Sequence, residues 1–163
     1  METKNKVVKL AKICHITSKV LYCIACVACL TFIVLAIVLP INNAIESLTA
    51  KETAVMFSTL AVYAFFCIGL LWNVEGLFKS VAAEQTPFTE RVSHYLKKVA
   101  IFVLLVSIVP ALIGSIILRA IYNATELTFP IDLCGVIAGF VLFLLGRFFK
   151  YGNELQKQDD ETL

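Results

Sequence analysis

Four long stretches almost free of charge dominate this sequence: Val20 to Ile41, Ala54 to Trp72, Val99 to Leu118 and Ile131 to Phe149. Each approaches the roughly 20 apolar residues that cross a hydrocarbon core at about 1.5 Å rise per residue. A soluble core could not hide so much apolar surface. Sixty per cent of the residues are hydrophobic and 16% charged, against about 45–50% and about 25% in soluble domains. In lipid every backbone N–H and C=O must be paired within the protein, so a run of this length is expected to be helical. No alternating ten-residue pattern suggests a barrel. The expectation is an all-α protein, a single membrane domain over residues 1–163 built as a four-transmembrane-helix bundle.

The placement of Lys and Arg sets the expected orientation. Lys4, Lys6, Lys9, Lys12 and Lys19 precede the first run. Lys79, Arg91, Lys97 and Lys98 fall in or beside the segment 73–98, and Arg147, Lys150 and Lys157 close the chain. The other side holds Lys51 and Arg119. Twelve against two, by the positive-inside rule, puts both termini in the cytoplasm. The net charge of +2 is too small to imply direct nucleic-acid binding. The first run is longer than the 7–15 residues of a signal-peptide core and is followed by no small-x-small cleavage site, so it is expected to remain as a span. The two outer loops, about Asn42 to Thr53 and Arg119 to Pro130, are too short for a folded sensor domain. Asn123-Ala124-Thr125 fits a glycosylation acceptor, a triplet relevant only in a eukaryotic secretory pathway.

The inner loop 73–98 and the tail 150–163 are the most distinctive polar segments. Leu77, Phe78 and Val81 continue an apolar stripe beyond Trp72, which predicts that helix two projects past the membrane surface. It should end before Gln85-Thr86-Pro87, because proline disfavours helix in the residue before it. Thr89 has the character of an N-cap and Glu90 suits the positive end of a helix. Val92, Tyr95, Leu96 and Val99 would then share one stripe leading into span three. Helix four is likewise expected to project inward, through Arg147 and Lys150 to Tyr151 and Leu155.

Inside the bilayer, Gly135 and Gly139 form a G-x-x-x-G pair and Gly146 lies seven residues on; span three offers Ser107, Ala111 and Gly114. Small residues let helices approach where lipid gives no hydrophobic drive between them. Packing within one chain is the preferred expectation over dimerisation, and the oligomeric state is otherwise open. Pro110 is expected to kink span three by removing one hydrogen bond.

Chemistry finds little purchase. Cys23, Cys26 and Cys29 have a C-x-x-C-x-x-C spacing, but on a helix successive members turn through a broad stripe rather than wrapping a cluster. Such cysteines pack well among apolar helices. The outer loops lack cysteine, and His15 and His94 lie outside the spans, so neither an outer-face oxidoreductase nor a haem protein is indicated. A proton-coupled pathway needs ionisable groups near the midplane, where the runs are uncharged. Glu75 and Arg147, both near the inner boundary, are a candidate interhelix ion pair. No cofactor, metal ligand set or catalytic residue is expected, and the chain is not expected to be an enzyme.

Thr86-Pro87-Phe88-Thr89 ahead of the third helix, with Tyr151-Gly152-Asn153-Glu154-Leu155-Gln156 leading into Asp160-Glu161-Thr162-Leu163, resembles small bacterial four-helix membrane proteins catalogued only as a domain of unknown function. The likeness runs from the first span to the last residue. It departs at Glu84-Gln85, where members often show a glycine before the Thr/Ser-Pro-Phe element. These proteins are frequently encoded beside a Cro/cI-type helix-turn-helix regulator, which implies a multi-pass protein of the bacterial inner membrane with a cytoplasmic regulator as partner. The candidate partner-binding residues are Thr86, Pro87, Phe88, Thr89, Tyr151, Gly152, Leu155, Asp160 and Glu161. The alternative expectation is a small transporter or immunity-type protein acting on an apolar compound or peptide.

Overall fold

The computed structural model describes residues 2–42, 50–84, 89–122 and 131–161, and its regular structure is all helical. Four helices follow one another: α1 (Glu2–Asn42), α2 (Ala50–Glu84), α3 (Glu90–Tyr122) and α4 (Leu133–Glu161). Each contains one of the four apolar runs, and each is long and apolar enough to cross a membrane. Their 41, 35, 33 and 29 residues give lengths from about 60 Å down to about 43 Å at the α-helical rise. All exceed the roughly 30 Å hydrocarbon core. Much of the excess lies toward the end of the molecule richest in Lys and Arg, hereafter the basic end. There α1 runs back to Glu2, α2 on to Glu84 and α4 on to Glu161.

The helix ends follow local chemistry. Thr89 Oγ1 accepts a hydrogen bond from the Val92 N–H at 3.4 Å, and the Thr89 carbonyl accepts from Ser93 N–H at 3.1 Å. Both bonds belong to an N-cap that satisfies donors lacking an intrahelical partner. Asp132 holds the equivalent position before α4, its carbonyl accepting from Val136 N–H at 3.0 Å. Pro110 stands within an unbroken α3.

Polar side chains inside the apolar runs bond back to their own helix. The hydroxyls of Thr59, Ser107 and Ser115 donate to the carbonyls of Val55, Val103 and Ala111 at 2.7–2.8 Å. Asn73 Nδ2 donates to Gly69 O at 2.7 Å. Each such bond removes the cost of an unpaired polar atom in lipid.

Among the described residues the helices pack in series, α1 on α2, α2 on α3 and α3 on α4. The expected bundle is therefore open, with α1 and α4 as its edges. Glycine fits α2 to α3: a Cβ on Gly69 would run into the Phe102 ring, and one on Gly76 into the Tyr95 ring. The glycines are seven residues apart and so are the aromatics, in antiparallel order, the repeat of left-handed helix packing. The α3–α4 seam uses the same period. Ser93, Ala100 and Ser107 face Gly146, Gly139 and Asp132. Ser93 Oγ donates to Gly146 O at 2.8 Å, and Asp132 N–H approaches Ser107 O at 3.4 Å. A Cβ on Gly139 would stand 2.7 Å from Leu104 Cγ and 3.3 Å from Ala100 O, while Ala100 has no exposed surface. Gly135 of α4 lies against Ser107 of α3.

Candidate functional site

The basic end carries most of the groups capable of recognition. Its level is marked by Tyr22 of α1 and Trp72 of α2, whose ring centroids are 5.8 Å apart. Aromatic residues of this kind favour the membrane–water boundary. One turn beyond Trp72, Glu75 faces α1. Its carboxylate lies 3.7 Å from Lys19 Nζ and 3.9 Å from His15 Nδ1, with the Glu75 side chain 19% exposed. Both distances are those of an ion pair and too long for a hydrogen bond.

This arrangement corrects the expected pairing of Glu75 with Arg147. Glu75 is on the α1-facing side of α2, whereas Arg147 belongs to α4, which packs on α3. Arg147 instead lies over the Phe143 ring, 5.7 Å from its centroid. The two residues share a level of the molecule but not an interface.

The candidate partner-binding residues are spread over two places. Thr86, Pro87 and Phe88 lie outside the described residues, as do Asn123-Ala124-Thr125 of the possible glycosylation triplet and most of both outer loops. Thr89 is committed to capping α3. Tyr151, Gly152 and Leu155 are on α4, and Asp160 and Glu161 end that helix. Tyr151 is 61% exposed and Leu155 44%, and Phe148 one turn earlier is 70% exposed. Phe148, Tyr151 and Leu155 recur at helical spacing and form an apolar stripe that leads from the end of α4's apolar run onto the part of the helix beyond it. Phe148 was not evident from sequence, because it lies within that run.

The stripe Leu77, Phe78 and Val81 faces inward. Together with Leu10, Ala11 and Cys14 of α1, Val92 and Leu96 of α3 and Phe149 of α4, it lines a small apolar cavity of about 220 Å³. Here side chains of all four helices converge. Val92, Leu96 and Val99 are buried at 3%, 8% and 6% exposure.

Two larger hollows flank α3. At the opposite end from the cations, an apolar cavity of about 400 Å³ is bounded by Met56 and Tyr63 of α2, Val106 and Pro110 of α3, and Asp132. Proline at 110 cannot donate to the Val106 carbonyl, and both residues line this cavity. At the basic end, a groove of about 660 Å³ opens between α2 and α3 beside Lys79, Arg91, His94 and Lys98. Single residues gave no sign of it, because it depends on the α2–α3 register that brings Gly76 against Tyr95.

The cysteines are free thiols. Cys29 is buried, with Sγ 3.7 Å from the Ala61 carbonyl of α2, and Cys23 is exposed. Among the described residues no three His, Cys, Asp or Glu side chains gather in a set able to hold a metal ion. In comparisons with known proteins, no family model, no curated protein and no solved structure matches the chain.

Proposed function

We propose that the chain is a non-enzymatic, multi-pass protein of a bacterial cell membrane, with both termini in the cytoplasm, whose basic end binds a soluble regulatory protein. The observation that carries this reading is the exposed stripe of Phe148, Tyr151 and Leu155, which runs from the end of the apolar run of α4 onto its extension. Apolar anchors at i, i+3 and i+7 are the arrangement by which a helix docks into a partner's groove. The placement of twelve of the fourteen Lys and Arg residues at the same end supports a cytoplasmic location for that stripe. The resemblance to proteins encoded beside helix-turn-helix regulators supplies the partner class.

The test is co-purification of a helix-turn-helix regulator, taken from the genes neighbouring this one, with the full-length, detergent-solubilised protein. Replacing Tyr151 and Leu155 with Asp should abolish recovery, while Gln at exposed Lys12 of α1 should leave it intact. Equal recovery from both variants removes α4 from the interface. A fluorescent protein fused after Leu163 should fluoresce, and a periplasm-active phosphatase fused there should be inactive.

The alternative function, a transporter or immunity-type protein for an apolar compound, is favoured by the roughly 400 Å³ cavity beside Pro110. It requires a susceptibility phenotype that survives removal of residues 151–163.

A further inference from the structure

We propose that the groove between α2 and α3 at the basic end is a binding site for an anionic phosphate ester, placed to receive the headgroup of an acidic phospholipid from the adjoining leaflet. The floor is made of small residues. Gly76, Ser80 and Ala83 succeed one another along α2, and the Ser80 hydroxyl is turned back onto the Gly76 carbonyl at 2.9 Å. The walls are cationic: Lys79 from α2, and Arg91 and Lys98 from α3. Glu90 also borders the groove and Glu84 pairs with Arg91 beside it, so the three cations face two carboxylates and leave an excess of positive charge.

These cations differ in how they are held. Arg91 Nη1 lies 3.9 Å from Glu84 Oε1, an ion pair reaching across from α3 to α2. Lys98 Nζ rests 5.9 Å from the centroid of the Tyr95 ring, which is itself lodged against Gly76. Lys79 makes no ion pair among the described residues. The first turn of α3 also opens beside the groove, and the positive end of its dipole adds to the field.

Depth selects the ligand. Gly76, at the base of the groove, is one turn beyond Trp72, whose contact with Tyr22 marks the boundary level. By the register that sets Gly76 against Tyr95, Lys98 stands near the level of Trp72 and Lys79 and Arg91 about 10 Å farther out, so the groove brackets the layer just outside the hydrocarbon where a lipid phosphate sits. Basic pockets between transmembrane helices recognise acidic headgroups in this way. Gly76, Ala83 and the Tyr95 ring share the lining with Lys79 and Lys98, a mixed surface that suits a headgroup whose acyl chains continue along α2 and α3. A soluble phosphate ester shares the same recognition chemistry, so the test separates the two sources.

Full-length protein in a neutral detergent is examined by native mass spectrometry with phosphatidylglycerol, phosphatidylcholine or glycerol 1-phosphate. The expected result is one phosphatidylglycerol retained in preference to phosphatidylcholine. Replacing Lys79, Arg91 and Lys98 with Gln should weaken retention by roughly fivefold per cation. Removing as many charges elsewhere at the same end, by Lys9→Gln, Lys12→Gln and Lys150→Gln, should leave it within about twofold. Ala83→Phe, which fills the groove without touching a charge, should also displace the lipid. Glycerol 1-phosphate that binds alone and displaces phosphatidylglycerol assigns the site to a soluble phosphate ester. Equal retention of the two lipids with no glycerol 1-phosphate binding, or equal loss in the two triple variants, overturns the site.

Discussion

At the scale of single residues, the hydroxyl groups of α3 show how one residue type serves two ends. Ser107 donates to Val103 of its own helix, while Ser93 donates across the seam to Gly146 of α4. Ser93 is 2% exposed, so removing its hydroxyl leaves the partner carbonyl with less compensation. Interhelical hydrogen bonds in membranes average about 0.6 kcal/mol. Ser93→Ala should therefore destabilise the protein by about 0.5–1 kcal/mol in an SDS unfolding titration from mixed micelles, and Ser107→Ala by less. Gly139→Leu should cost more, about 1–3 kcal/mol, because the Leu104 side chain and the Ala100 carbonyl already occupy the space. The glycines of α4 were legible in the sequence as a close-packing face. Ser93 was not, because nothing in one helix says which serine meets a neighbour and which folds back on itself. Ala100 escaped for the same reason: an alanine among valines and leucines becomes informative only when its opposite number is known.

At the scale of elements, the helices were easier to find than their ends or partners. A run of about 20 uncharged residues can do little else in lipid but form a helix. The start of α3 at Glu90 follows from Thr89 acting locally as its cap. The extension of α1 back to Glu2 was less visible, since its lysines obscure the apolar face formed by Leu10, Ala11 and Cys14. Partnering is a property of two elements at once. Glu75 and Arg147 were equally plausible mates by depth, yet Glu75 faces α1 and Arg147 lies on a helix that packs on α3. The capping bond offers a direct check on the autonomy of an element. Thr89→Ala should cost about 1 kcal/mol, appearing as faster hydrogen exchange at the first turn of α3 around Val92 and Ser93. Exchange in the middle of α4 should be unchanged; a matching rise there would mean that Thr89 supports the whole fold rather than one helix end.

At the scale of the whole molecule, order along the chain becomes order in space. Short connections place each helix beside the next, and two seven-residue registers fix α2 to α3 and α3 to α4. Neither register needs α1 to meet α4, and both edge helices keep large apolar side chains exposed: Ile24 at 59% and Ile137 at 61% stand at similar depth on α1 and α4. Lipid can cover such faces at no hydrophobic penalty, so a membrane protein can stay open where a soluble bundle would close. Engineered cysteine pairs in an otherwise cysteine-free chain distinguish the two arrangements. Ser107→Cys with Asp132→Cys should oxidise readily within one chain, because the Asp132 N–H lies only 3.4 Å from the Ser107 carbonyl across the α3–α4 seam. Ile24→Cys with Ile137→Cys should remain reduced when the protein is dilute in lipid. Efficient intrachain oxidation of that second pair would show the edges in contact, and the serial arrangement would give way to a closed ring of four helices.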